Sequence, residues 1–217
     1  MKITDFGVAV IEGDTHISRW VEEHRSLKIA SVLLKHVRRF VRPGSVVVDA
    51  GANIGDHTIE FAEWAGIVHA FEPNPQAMEC LRFNMRNQTN VTLHDCGLSD
   101  TQSVCGFQSQ DNVGAGYCVD SGDSVQLLTL DSFELQDVSL IKADIEGFEC
   151  RMLRGATETL KQRPVLMLEV NGGALQRAGD SWEILIQMVR DLHYAIRPLA
   201  RISSFADPQY DILCVPE

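Results

Sequence analysis

"VVVDAGANIGDHTIEFAEWAGIVHAFEPNP", residues 46–75, fits an apolar run, an Asp-Ala-Gly turn, a helix-like segment and a second apolar run ending in Glu-Pro into thirty positions. Valine-rich runs without alternation are the signature of parallel strands covered on both faces. A strand, a tight glycine turn, a helix and a second strand make the opening unit of a doubly wound α/β sheet.

The same rhythm continues outward. On the C-terminal side, Asn74 is placed to cap a helix with Pro75 at its first position, and Met78, Leu81 and Met85 fall on one face. "GFECRMLRGATETLKQR" sets Phe148, Met152, Ala156 and Leu160 together, and "DSWEILIQMVRDL" opens with Asp180 and Glu183 in a capping-box-like spacing. "PVLMLEV" (164–170) is another buried strand, and "HYAIRPLA" and "QYDILCVP" close the chain as a strand pair. Residues 101–130, with Gly114, Gly116 and Gly122, break the rhythm and predict an inserted hairpin and loop.

On the N-terminal side, residues 6–19 alternate weakly around "EGD", which predicts a short hairpin. Ala30, Leu33, Leu34, Val37 and Val41 then keep helical spacing until Arg42-Pro43-Gly44 stops them. Residues 1–44 are therefore expected to form a hairpin-and-helix extension, and residues 45–217 one compact ligand-binding domain.

Composition narrows the function classes. The 217 residues are 45% apolar and 23% charged, with a formal charge of −11. That balance disfavours extended contact with nucleic acid, whose affinity comes from clustered Lys and Arg. Residues 1–42 run against it, with eight Lys/Arg and five Asp/Glu, and "KHVRRFVR" (Lys35–Arg42) is a local basic stripe. Cys80, Cys96, Cys105, Cys118, Cys150 and Cys214 show no C-x-x-C and no nearby histidine pairing, so zinc is not expected. Cys105 and Cys118 are spaced to meet across a hairpin, but scattered thiols in a chain this long read as reduced and buried. With no signal-type core at the start and no stretch of membrane-spanning length, a cytoplasmic protein without a membrane span is expected.

Asp49, Glu72, Asp95, Asp144 and Glu169 each fall at the end of an expected strand, the edge where open parallel sheets bind ligands. Glu72 follows Gly51 at the separation from which a carboxylate accepts both hydroxyls of a ribose. Such charge-assisted bonds contribute about 1.5–3 kcal/mol each. A dinucleotide needs G-x-G-x-x-G for its pyrophosphate, whereas "DAGANIG" has Asn53 at the second glycine position and Asp49 just ahead of the turn. An anion would meet a like charge there, but the sulfonium and ammonium of S-adenosylmethionine would be attracted. Gly51 and Gly55 let the backbone pass close to the methionine part.

"VVVDAGANIG", "AFEPNP", "DCGLSD", "LLTLDSF", "LIKADIEGFECRMLRGA" and "VLMLEVN" occur in an order and spacing that resemble the FkbM family of S-adenosylmethionine-dependent methyltransferases, over residues 14–215. The resemblance implies a Rossmann-like class I methyltransferase fold: a seven-stranded, mostly parallel sheet with an antiparallel final strand. It also implies methylation of a hydroxyl oxygen on a small-molecule or glycan acceptor, a sugar or other secondary metabolite. Position by position, it assigns Asp49, Gly51, Asn53 and Gly55 to the methionine end and Glu72 to the ribose. Asp95, Cys96 and Gly97 would line the adenine edge, although Cys96-Gly97 departs from the family's usual pair. His57 and Thr58 would touch the cofactor, and Asp144 would face the sulfonium and the acceptor.

Methyl transfer to an alcohol needs alignment and removal of one proton. Asp144 or Glu146 is the expected proton acceptor. Lys142 serves only if its pKa is depressed, and otherwise pairs with one of the acids; Lys142, Glu169 and Asn171 are placed toward the acceptor. No metal is assigned, although Asp144, Glu169 and Asn171 together offer three oxygen ligands for Mg²⁺, a set that helix capping and substrate hydrogen bonds explain equally. Two other readings stay open at this level: an NAD-dependent oxidoreductase, and a cofactor-binding module without catalysis. The N-terminal segment and residues 108–124 would set acceptor specificity, and nothing in the sequence specifies an oligomeric state.

Overall fold

The computed structural model describes residues 1–28, 32–108, 116–119, 123–199 and 209–217. The chain opens with strands β1 (Lys2–Ile3) and β2 (Ala9–Val10) and helices α1 (Ile17–His24) and α2 (Val32–Arg38). The sheet unit follows as β3 (Val46–Ala50), α3 (Thr58–Trp64), β4 (Ile67–Phe71), α4 (Pro75–Asn84) and β5 (Val91–His94). Four short strands come next: β6 (Gly97–Leu98), β7 (Ser103–Gln108), β8 (Tyr117–Val119) and β9 (Asp123–Leu128). The second half holds β10 (Val138–Ala143), α5 (Glu149–Arg154), α6 (Thr157–Leu160), β11 (Val165–Asn171), α7 (Gly172–Arg177), α8 (Trp182–Asp191), β12 (Tyr194–Pro198) and β13 (Gln209–Pro216).

Seven strands form one sheet in the order β12-β13-β11-β10-β3-β4-β5. β13 runs antiparallel to both its neighbours and the remaining pairings are parallel, which is the class I methyltransferase arrangement expected from the sequence. The strand order reverses between β3 and β10, so a crevice opens beyond their carboxyl ends. Alternate residues feed two core layers. Val48, Ile141 and Leu166 pack with Met152, Leu185 and Val189 on one face. Val47, Leu140 and Met167 pack with Leu34, Val37 and Phe61 on the other. The period-two alternation that builds these layers also decides where each strand-end acid points.

The N-terminal segment shares this core. Ala9, Val10 and Val21 pack against Ile54, Met78 and Leu81. Asn84 ties three elements together, accepting from Ala9 N at 2.8 Å and donating to Ala9 O at 2.9 Å and Ile54 O at 2.8 Å.

Several local expectations are corrected. The N-terminal hairpin pairs Lys2 with Val10 and Ile3 with Ala9, so the chain reverses within residues 4–8 and not at "EGD". The helix start at residue 182 is capped by Ser181, whose Oγ accepts from Ile184 N, while Asp180 pairs with Arg154 at 2.6 Å. The amphipathic run 148–160 is two helices. They break at Gly155, where a Cβ would lie 2.1 Å from Ser99 O. The inserted segment does hold an antiparallel pair, β7 with β8, and it belongs to a four-stranded sheet of order β6-β9-β7-β8 that the sequence did not announce; Gly114 and Gly122 lie outside the described residues, as does Ala30. Cys80, Cys96, Cys150 and Cys214 are free and buried as expected, but Cys105 is disulfide-bonded. Among the described residues, no helix is long and apolar enough to cross a membrane.

Candidate active site

The glycine turn after β3 is built from below. Gly51 has φ +76°, and a Cβ on it would lie 1.9 Å from Asp144 O, so the turn crosses directly over the end of β10. Gly51 N and Ala52 N both donate to Phe71 O at 3.0 Å. Asn53, at the position where a dinucleotide fold has its second glycine, adopts φ +48°, a left-handed conformation that asparagine tolerates better than most residues. Beneath the turn, fully buried Asp49 accepts from Thr58 Oγ1 at 2.6 Å, and its other oxygen lies 3.3 Å from Lys142 Nζ. Lys142 also donates to Gly51 O at 2.7 Å and Ala50 O at 3.3 Å. Burial pushes this ammonium down, but Asp49, Asp144 and Asp56 outweigh it and leave its pKa raised. The structure therefore places Lys142 as a charged prop under the turn, paired with an acid, and not as a base.

Glu72 stands just beyond β4. Its two carboxylate oxygens accept from Asn53 N and Asn74 N, each at 2.8 Å. Burial pushes Glu72 up to about 7 despite these bonds. Its carboxylate therefore locks the glycine turn to the start of α4 while lining the cleft.

That cleft has a volume of about 650 Å³ counted with its open mouth. One end is apolar, walled by Phe71, Pro73, Ala77, Leu98 and Leu127 beside Cys96 and Gly97. His94 stacks on Phe71 with ring centroids 4.3 Å apart, and Phe133 meets both edge-on. Burial and the neighbouring His69 hold His94 down at about 4, so this wall is uncharged at neutral pH. Phe107 of β7 and Gly116, just before β8, extend the same wall.

The other end is acidic. Asp144, Ile145, Glu146 and Phe148 line it. Oxygens of Asp144, Glu146 and Glu169 lie within 4.8 Å of one another. The registers explain the cluster: Ala143 pairs with Leu168, so Asp144 emerges level with Glu169, which itself pairs with Asp211. Glu169 is pushed up to about 10 by burial, by the charges of Asp144 and Glu146, and by a hydrogen bond with Asp144. Glu146 is pushed up to about 7 by burial and Asp144, against the opposing pull of Arg177, 4.0 Å away. Asp211 is raised as well, by burial and then by Asp144.

Of the residues singled out in the sequence, Gly51, Asn53, Glu72, Cys96, Gly97, Asp144 and Glu146 meet in the cleft wall. Glu169 stands beside Asp144. The others take different positions. Asp49 and Thr58 bond each other beneath the turn, and Gly55 packs against Leu81 and Met85. His57 lies 3.3 Å from Asp56 and outside the cleft wall. Asp95 is exposed and paired with Arg82 at 3.1 Å. Asn171 caps α7, accepting from Ala174 N at 3.1 Å, which takes it out of the expected metal set; the acids close enough to share a cation are Asp144, Glu146 and Glu169. Sequence reasoning missed Asp211, whose proximity comes from an antiparallel pairing across forty residues, and the apolar contribution of the small sheet. It also missed Glu149, although Asp144, Glu146 and Glu149 place three acids within six residues.

Comparisons with known proteins give the chain a family and a fold. Residues 49–196 match the family model described as the methyltransferase FkbM domain. The hexuronic acid methyltransferase AglP of Haloferax volcanii is 29% identical over 136 residues, 59% of this chain and 56% of that protein. The 31-O-demethyl-FK506 methyltransferase FkbM of Streptomyces tacrolimicus is 44% identical over 68 residues, 30% of this chain and 26% of that protein. The chain thus spans little more than half the length of AglP and a quarter of FkbM. In fold, it is similar to the crystal structure of methyltransferase FkbM from Methylobacillus flagellatus KT, with a TM-score of 0.56, 16% identity, and coverage of 93% of this chain and 60% of that one. A family match across most of the chain, on a class I methyltransferase sheet with its cleft at the strand-order reversal, shows that the chain belongs to the methyltransferase FkbM family.

Proposed function

We propose that the chain is an S-adenosylmethionine-dependent O-methyltransferase acting on a hydroxyl of a sugar, glycan or secondary metabolite. The observation that carries this reading is the single cleft joining an apolar slot, the Glu72 carboxylate and an acidic end. Cys96, Gly97 and Leu98 suit an adenine edge, Glu72 suits two ribose hydroxyls, and Gly51 and Asn53 suit the methionine part. Asp144 and the ionised form of Glu146 supply the negative field for a sulfonium, with Glu169 held protonated beside Asp144, while Asp49 contributes through the turn that it props. The donor, when bound, supplies an electrophilic methyl group. Glu146 is then the base of choice for the hydroxyl proton, because a carboxyl that titrates near neutrality is matched to the working pH. Residues 45–217 act as the catalytic unit, with residues 1–44 as an extension that braces the glycine turn.

The acidic row also argues about the acceptor. Asp144 and Glu146 line the cleft, with Glu169 and Asp211 beside them and Arg177 the cation beside Glu146. A neutral hydroxyl compound fits that field better than a carboxylate-bearing one, which would set this chain apart from a hexuronic acid methyltransferase. No divalent metal is assigned, because Asn171 is committed to its cap and Glu169 to Asp144. If the protein works in a reducing cytoplasm, the Cys105 disulfide is open to reduction there.

The test is incubation with methyl-labelled S-adenosylmethionine and matched neutral and uronic sugars, followed by mass spectrometry, with calorimetry of S-adenosylhomocysteine in parallel. Label in the neutral acceptor is expected. Binding without label in any acceptor favours a silent module, and no binding removes the reading.

A further inference from the structure

Glu149 sits at the first turn of α5, 1% exposed and outside the cleft wall. Its Oε1 accepts from Ile145 N at 3.0 Å and from Gly147 N at 3.4 Å. Its Oε2 is buried with no hydrogen-bond partner. A buried carboxylate with one idle oxygen is costly, by about 1–3 kcal/mol for an unsatisfied group, and core packing alone would be served better by an apolar side chain. The two amides that it holds belong to the turn carrying Asp144 and Glu146.

That turn needs holding. Glu146 adopts φ +53° and Gly147 φ +103°. A Cβ on Gly147 would lie 2.3 Å from Ala174 O, so the turn is pressed against α7 and has little freedom on that side. A non-glycine residue at positive φ persists only where its surroundings over-determine it. On the inner side, the restraint is the Glu149 carboxylate, which bridges the residues before and after Glu146.

We propose that Glu149 is a positioning residue: by clamping the amides of Ile145 and Gly147, it fixes the turn so that Asp144 and Glu146 face the cationic centre of the donor. This rests on the donor assignment proposed above. It assigns a role to a side chain that touches neither donor nor acceptor. Reach and acceptor oxygen matter under this proposal, more than charge. Glu149→Gln keeps the acceptor oxygen at the right distance, and Glu149→Asp keeps the charge but is one methylene too short.

The experiment is calorimetry on each variant with two probes that need no methyl acceptor. One is S-adenosylhomocysteine, uncharged at sulfur, and the other is sinefungin, which carries an amine where the methyl sulfonium would be. Glu149→Asp is expected to weaken sinefungin about tenfold and S-adenosylhomocysteine less than about threefold, while Glu149→Gln stays within about threefold of wild type for both. Equal losses for both probes, which a purely structural role would give, overturn the proposal. So does wild-type behaviour of Glu149→Asp. If Glu149→Asp does not fold, Glu149→Gln decides alone, and a tenfold fall in its sinefungin to S-adenosylhomocysteine preference overturns the assignment. A wild-type protein that binds neither probe contradicts the donor reading itself, which separates the two failures.

Discussion

The carboxylates on the two sides of the cleft live in opposite circumstances. On the glycine-turn side, each is committed: Asp49 to Thr58 and Lys142, Glu72 to the amides of Asn53 and Asn74. On the β10–β11 side, Asp144, Glu146 and Glu169 lie within 4.8 Å of one another with Asp211 in register beside Glu169, and burial and neighbouring carboxylates push Glu146, Glu169 and Asp211 up. The first arrangement uses charge to fix a backbone. The second crowds acids beside the cleft, where Glu169 keeps its proton and Asp144 and Glu146 can meet a cation.

The comparison can be broken most severely at the prop. Lys142→Met leaves Asp49 charged and buried without its cation, holding only the Thr58 hydroxyl, and is expected to cost about 3–5 kcal/mol in urea unfolding. Adding Asp49→Asn should recover part of the loss, and full stability in the single variant would mean that the ion pair does not hold the turn. Next comes Glu72→Ala, expected to weaken S-adenosylhomocysteine at least about 100-fold if Glu72 makes the two charge-assisted ribose bonds proposed for it. Unchanged affinity by calorimetry would remove the ribose assignment.

On the open side, Asp144→Asn should lower turnover about tenfold or more while S-adenosylhomocysteine affinity stays within about threefold, since its charge matters to the reacting centre. Equal falls in both would place Asp144 with the fixed set. The last test is pH dependence. Glu72, Glu146 and Glu149 are raised to about 7, and Glu169 to about 10. Raised carboxyls keep protons in the folded state that the unfolded chain has released. Their stabilising contribution is therefore full below the ordinary carboxyl range and is lost as pH rises through about 7, and through about 10 for Glu169. The urea midpoint of the ligand-free protein should fall between about pH 5 and about pH 8, and Glu146→Gln should flatten that slope. A flat wild-type profile would count against the crowded acidic end.

Much of this was legible in residues 46–75. The apolar run, the glycine turn and Glu72 lie within one contiguous unit, where sequence distance and spatial distance nearly agree, and Glu72 does meet Asn53 across nineteen residues. Asn74 before Pro75 likewise announced a cap that the structure shows, accepting from Gln76 N. The strand-end acids were harder. All five expected ones sit at the right edge, yet Asp95 turns outward to Arg82 and Asp49 turns under the glycine loop. Asp180 looked like a cap and instead pairs with Arg154, while Ser181 next to it takes the role.

What the sequence determined by itself is the alternation of strands and helices in the main sheet, the turn chemistry that suits a cationic donor, and the family, because each is written in local runs of a few residues. Which acids face the cleft was decided only in the folded chain. A strand-end side chain points to one face or the other according to register, and its partner is supplied by a strand far away in sequence: Lys142 for Asp49 and Asp211 beside Glu169. No window of sequence contains both members of those pairs, and only the assembled sheet brings them together.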